Sequence, residues 1–182
     1  MCIRDSAYAC HDIDETIQQT PADQIAKGLG LEDNLFQVGS TSKITLAGSG
    51  ISFISSSTEN LSKFIDFRNA ITPGPNKMNQ GMHVKYFESV SIEQQMNELK
   101  KIIKPKFELV DDILKPLKDS GLCSYEKPTG GYFYSIDSAK SNADEIVQNC
   151  SDLGLKLLPM GSCFPYGKDP DKKNIRLAPT FP

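Results

Sequence analysis

Apolar positions change period along this chain, from the alternation of strands to the three-and-four spacing of helices. Leu35 to Val38 is a short apolar run that reads as a buried strand, and it opens onto a loop dense in hydroxyls and glycines, Gly39 to Gly48. Ile51-Ser52-Phe53-Ile54 alternates apolar and polar residues as a strand does, and Ser57 is then placed to cap a helix through Leu61, Phe64, Ile65 and Arg68. Upstream, Ala7-Tyr8-Ala9-Cys10 reads as a strand remnant, and Thr20-Pro21 with Asp23 starts a short helix that ends by Gly28 or Gly30. Strand, helix, strand, loop, strand and helix in that order predict an α/β layer, a sheet with helices on its faces.

Thr72-Pro73-Gly74-Pro75 breaks the pattern, and a helix is expected from Lys77 to Phe87. Ser91 with Gln94 three residues later is a capping-box signature. It opens a long amphipathic helix with a stripe through Ile92, Met96, Leu99, Ile102, Ile103, Phe107, Val110, Ile113, Leu114 and Leu117, kinked at Pro105 and ended near Gly121. The remainder reads as compact α+β. Cys123 to Tyr125 and Gly131 to Ile136 are strands around Pro128-Thr129-Gly130; Ser141 and Asp144 open a helix closed by Gly154; Leu155 to Leu158 and Asn174 to Ala178 are strands. Gly161 to Gly167 is a loop. The breaks divide the chain into residues 1–72, the later part of an α/β domain; residues 73–120, linking helices; and residues 121–182, a small α+β domain.

Composition narrows the function classes. The 182 residues are 38% hydrophobic and 24% charged, enough for one substantial core or two small ones in a globular protein. A net charge of −3 and a pI near 5.4 leave no electrostatic footprint for nucleic acid, so no nucleic-acid partner is expected. No apolar run approaches the roughly 20 residues that span a bilayer, and no long apolar region marks a signal peptide. The expectation is a cytoplasmic protein without a membrane partner. Five scattered cysteines without a Cys-x-x-Cys pair read as reduced packing residues. His11 reads as a loop histidine without ligand spacing, and His83 as a packing or surface residue rather than a base. Met1-Cys2-Ile3-Arg4-Asp5-Ser6 resembles the translated tail of a sequencing-library adapter, which would leave it outside the fold and put the native start near Ser6 or Ala7. Pro179 to Pro182 stops without a helix or polar tail, and a fragment is expected.

Two residues carry candidate chemistry. Lys43 stands in the hydroxyl-rich loop, where a lysine is either solvated or chemically employed, because burying it is costly. Ser40 and Ser42, three and one positions before it, offer hydroxyls to an anion, and the small residues after it let a bulky group approach the backbone. A lysine beside an anion cradle suits covalent attachment of pyridoxal phosphate, in which a desolvated amine condenses with a carbonyl. The same spacing also describes an ordinary Ser/Thr-rich loop with a surface lysine. Arg176 lies in an apolar strand, where its planar fork wants a carboxylate, either a substrate's or that of an internal Asp or Glu.

Ser40-Thr41-Ser42-Lys43-Ile44-Thr45, Gly130-Gly131-Tyr132-Phe133, Gly167-Lys168-Asp169-Pro170 and the run from Asn174 to Pro182 follow one another in order. Together they resemble the fold-type I pyridoxal-phosphate aminotransferases, and more narrowly the bacterial aspartate aminotransferase branch. The resemblance runs from Tyr8 to Pro182. It implies the C-terminal part of a fold-type I large α/β domain followed by a small α+β domain, with pyridoxal 5′-phosphate as cofactor. It also implies amino-group transfer between an amino acid and a 2-oxo acid, aspartate with 2-oxoglutarate, by a homodimer. On that resemblance Lys43 bonds to the cofactor and moves the proton at the substrate Cα. Asp5 pairs with the pyridine nitrogen, Tyr8 hydrogen-bonds the 3′ oxygen, Ser40 and Ser42 face the phosphate, and Arg176 clamps the substrate α-carboxylate.

The resemblance has gaps. Ile51 stands where many relatives carry a phosphate-binding arginine, so that charge must be met elsewhere. The family's N-terminal half, with its phosphate loop, ring-stacking aromatic and asparagine, has no counterpart here, and the isolated chain is expected to be inactive. A β-eliminating enzyme on the same scaffold, or a non-catalytic effector-binding module of a regulator, are the alternatives. The central expectation is an amine held in a dry, hydroxyl-lined niche, with Arg176 free of any internal acid.

Overall fold

The computed structural model describes residues 1–14, 16, 20–159, 161 and 164–180. The expectations for Ser162, Cys163, Phe181 and Pro182 lie outside the described residues. The chain forms two compact units, Met1–Cys10 with Glu15–Glu98 and His11–Asp14 with Leu99–Pro182.

The first unit is built on β1 (Cys2–Asp5), α1 (Ala22–Leu29), β2 (Leu35–Ser40), β3 (Ser52–Ser55), α2 (Thr58–Ile71), α3 (Lys77–Phe87) and the first turns of α4 (Ile92–Asp119). Its sheet has the order β1-β2-β3, with β1 parallel to β2 and β3 antiparallel to it. The strand expected at Ala7–Cys10 is instead a turn, and the strand is Cys2–Asp5, inside the segment set apart as adapter-like. The ladder of β2 accounts for this, pairing Cys2 with Leu35 through Asp5 with Val38. Asp5 Oδ1 then accepts from the Ala7 amide at 2.9 Å, a local side-chain turn that leads the chain out of the sheet. Gly30, left-handed at φ 66°, ends α1 where the sequence predicts. Ser57 occupies the N-cap of α2 but makes no capping bond, and its hydroxyl is buried without a hydrogen-bond partner.

The second unit contains the rest of α4, β4 (Cys123–Tyr125), β5 (Tyr134–Ser138), α5 (Ala143–Asp152), β6 (Leu158–Pro159) and β7 (Asn174–Leu177). The strands form an antiparallel sheet in the order β4-β5-β7-β6. The apolar stripe of α4 supplies Ile103, Phe107 and Leu114 to a core shared with Tyr125, Tyr134 and Ile136. β5 begins at Tyr134 rather than at Gly131, because Gly131 is left-handed at φ 78° and Gly130 bridges to Asp12 instead. Asn142, not Ser141, caps α5, and the strand expected over Leu155–Leu158 shortens to Leu158–Pro159. No helix among the described residues is long and apolar enough to cross a membrane.

Candidate active site

β1 and β2 run parallel and in register, so both end at the same edge of the sheet, the edge where ligands bind in open α/β folds. Asp5 closes β1 and Ser40 closes β2. The Ser6 amide donates to Val38 O at 2.7 Å and carries the pairing one residue further, towards Tyr8 in the following turn. Asp5 is exposed and Tyr8 half-buried.

From Ser40 the backbone folds into a tight turn that presents Lys43. The Ile44 and Thr45 amides both donate to Thr41 O, at 2.9 and 2.8 Å. Ser40 Oγ and Ser42 Oγ lie 2.8 Å apart, and the Ser42 amide donates to Ser40 Oγ at 3.1 Å. The two hydroxyls thus form one polar spot just before the lysine. Gly50 closes the far side: a Cβ there would stand 2.7 Å from the Ser42 nitrogen and would collide with its hydroxyl. The loop is therefore packed against its own backbone at a place where only glycine fits.

Lys43 itself is exposed. The expectation of a dry niche is thus not met: the described residues build one wall of hydroxyls, and the lysine beside it is exposed. The charge of the phosphate-binding arginine is not supplied at position 51 either, where Ile51 binds Thr41 through its backbone: the Ile51 amide donates to Thr41 Oγ1, and the Thr41 amide to Ile51 O, each at 2.9 Å.

His83 takes the packing alternative of its sequence reading, not the surface one: it is buried beneath the turn, with hydrogen bonds at both ring nitrogens. Nδ1 lies 2.7 Å from Asn79 O, a carbonyl that can only accept, which assigns a proton to Nδ1. Nε2 lies 2.8 Å from Thr41 Oγ1 and 2.9 Å from Thr45 Oγ1. A second brace comes from α4, where Gln95 Nε2 donates to Ile44 O at 3.3 Å while its Oε1 accepts from Tyr86 OH at 2.6 Å. The sequence does not reveal these contacts, because no local motif links a loop to helices 38 to 51 residues on.

In the second unit, Arg176 sits in the central strand β7, opposite Ser135 of β5 and Leu158 of β6. Ile175 points into the core, so alternation turns Arg176 to the other face, where its guanidinium lies 4.6 Å from the centre of the Phe133 ring. Its Nε is buried without a hydrogen-bond partner, and no carboxylate pairs with it among the described residues. The internal ion pair that the sequence left open is therefore absent there, and this orphaned donor is the kind of group a carboxylate ligand satisfies. His11 is in a loop, but buried, with its ring edge-on to Tyr132 at 4.9 Å.

The mixed α/β unit followed by an antiparallel α+β unit matches solved aminotransferases over 43–45% of their length, which makes this a partial fold-type I aminotransferase chain. The chain belongs to the aspartate amino-transferase family, whose model matches residues 1–182. A provisionally named aminotransferase of Mycolicibacterium smegmatis is 39% identical over 98% of this chain, and an aspartate aminotransferase of Corynebacterium glutamicum 35% identical over 98%. The chain spans 42% of the length of each of these curated relatives. The crystal structure of a provisionally named aminotransferase from Corynebacterium diphtheriae superposes with a TM-score of 0.89 at 37% identity, over 99% of this chain and 45% of that one.

Proposed function

We propose that this chain is the lysine-bearing portion of a pyridoxal-phosphate transaminase that moves an amino group between an amino acid and a 2-oxo acid, aspartate with 2-oxoglutarate. The observation that carries the reading is the cluster at one sheet edge: a hydroxyl pair, an exposed lysine following it, and a carboxylate closing the neighbouring parallel strand. That donor set fits the cofactor, with hydroxyls for a phosphate, an amine for an aldehyde and an acid for a ring cation. When bound, pyridoxal phosphate supplies the carbonyl that takes up the amino group and a ring that withdraws electrons from the substrate Cα.

The chain's own residues do the rest. Lys43 would hold the cofactor through its amine, and that amine would take and return the proton at the substrate Cα. Ser40 and Ser42 donate to the phosphate. Asp5 holds the pyridine nitrogen and Tyr8 the 3′ oxygen. Arg176 grips the α-carboxylate through its fork, with Phe133 fixing the plane of the guanidinium. The preference for aspartate rests on family resemblance and on the named Corynebacterium glutamicum relative. In the whole protein we place this machinery in a cytoplasmic homodimer.

The test is turnover of the whole protein with pyridoxal phosphate. Amino-group transfer from aspartate should require 2-oxoglutarate, and Lys43→Ala should lose both transfer and the visible absorption of the bound cofactor. Keto-acid-independent elimination, or turnover undiminished in Lys43→Ala, would contradict the reading. The 182-residue chain alone should show no transfer.

A further inference from the structure

We propose that His83 is a positioning residue that fixes the Lys43 turn from α3, acting through the hydroxyls of Thr41 and Thr45. Those threonines flank Lys43 by two residues on each side, and a single ring nitrogen gathers both hydroxyls, at 2.8 and 2.9 Å. The other ring nitrogen is tied to Asn79 O at 2.7 Å, so the ring has contacts at both ends and cannot rotate without breaking them. The backbone between the threonines is one turn, with the Thr45 amide on Thr41 O at 2.8 Å, and Lys43 projects from its middle. Thr41 also joins this turn to the end of the loop through the Ile51 amide at 2.9 Å. A displacement of the ring is therefore transmitted to the lysine Cα rather than absorbed by a flexible loop.

Burial points the same way. Among the described residues of the first unit, the buried side chains are Ala26, Leu35, Thr41 and His83. Half of that set is a hydrogen-bonded polar pair, Thr41 at the start of the lysine turn and His83 beneath it. A buried polar pair gives less net stability than hydrocarbon of the same volume but fixes geometry more narrowly. The imidazole does not reach the reacting atoms in this account; it sets where the amine starts from.

The proposal rests on Lys43 carrying the cofactor, and the experiment separates the two. In the loaded whole protein, His83→Phe keeps an aromatic ring and removes both nitrogens. Exchange of the Thr45 and Ile51 amides should quicken by roughly tenfold or more. The visible band of the bound cofactor should shift, and kcat should fall about 10²-fold, the order expected for a catalytic group misplaced by an ångström. KM for the amino acid should stay within about threefold, since the carboxylate clamp is elsewhere. His83→Gln, which keeps a polar group where Nε2 lies, should recover part of kcat. Thr45→Val should lower kcat in the same direction, and combining it with His83→Phe should cost less than the sum of the two. Unchanged kcat and absorption in His83→Phe, even with faster exchange, would reduce His83 to a structural residue and overturn the proposal. If His83→Phe does not fold, full kcat in Thr45→Val overturns it instead. Lys43→Ala with its absorption intact would sink the cofactor reading, whatever His83 does.

Discussion

Arg176 shows how a single side chain is specified from two directions. The alternation of β7 buries Ile175 and turns Arg176 to the opposite face, and Phe133 fills that face beside it. No acid pairs with it among the described residues and its Nε is buried without a hydrogen-bond partner, which is what the proposed carboxylate-binding role requires. Arg176→Lys should therefore raise KM for the amino acid by about 10- to 100-fold, the value of a charge-assisted bond lost with the fork geometry. Its melting temperature should hardly change, which steady-state kinetics and a thermal scan of the same sample would check. The sequence singles out Lys43 and Arg176 only through the motifs taken together, since each alone equally describes a surface lysine or an internal ion pair. The role of His83 was not legible there, since its partners lie 38 and 42 residues away and only folding brings them together. The openness of Lys43 was not legible either: hydroxyls around a lysine signal a polar wall, not an enclosure.

Elements were read best where the signal is a backbone requirement. Gly30 and Gly121 take positive φ at the ends of α1 and α4, as their positions predict. At the start of α4, Ser91 Oγ accepts from the Gln94 amide at 3.0 Å and Gln94 Oε1 from the Ser91 amide at 2.9 Å, a complete capping box. Ser91→Ala should cost about 1 kcal/mol, measured as a drop in the urea midpoint at constant slope. Ser57 carried the same type of signal and makes no such bond, because a cap residue can be named from sequence but its rotamer depends on what packs against it. Strand limits failed for a similar reason. β1 exists because β2 offers it a ladder, and Ala7–Cys10 instead forms a turn in which the Ala9 amide donates to Ser6 O at 3.1 Å.

The second-unit core also sets a limit on alkaline stability. Tyr134 OH donates to Phe107 O at 2.9 Å and Tyr125 OH to Asp111 Oδ1 at 3.0 Å. Burial, with the Asp111 charge behind it, pushes both phenols up from 10.0 to about 12. The folded state thus favours their neutral form. Their contribution is complete below pH 10 and is lost as the pH rises through about 12. The urea midpoint should fall across that interval together with the appearance of tyrosinate absorbance, and Tyr125→Phe should flatten part of the fall.

For the molecule as a whole, the chain covers 42% of the curated relatives' length, and each unit holds a part of the proposed chemistry: the first Lys43 and its hydroxyls, the second Arg176. The claim that binds them is that Lys43 is the residue to which the cofactor attaches. The most direct measurement is to load the whole protein with pyridoxal phosphate, reduce it with borohydride, digest it and locate the modified residue by mass spectrometry. The account predicts one phosphopyridoxyl group, on the peptide that contains Lys43. A modification at another lysine, or no stable modification while transfer activity is present, would contradict it.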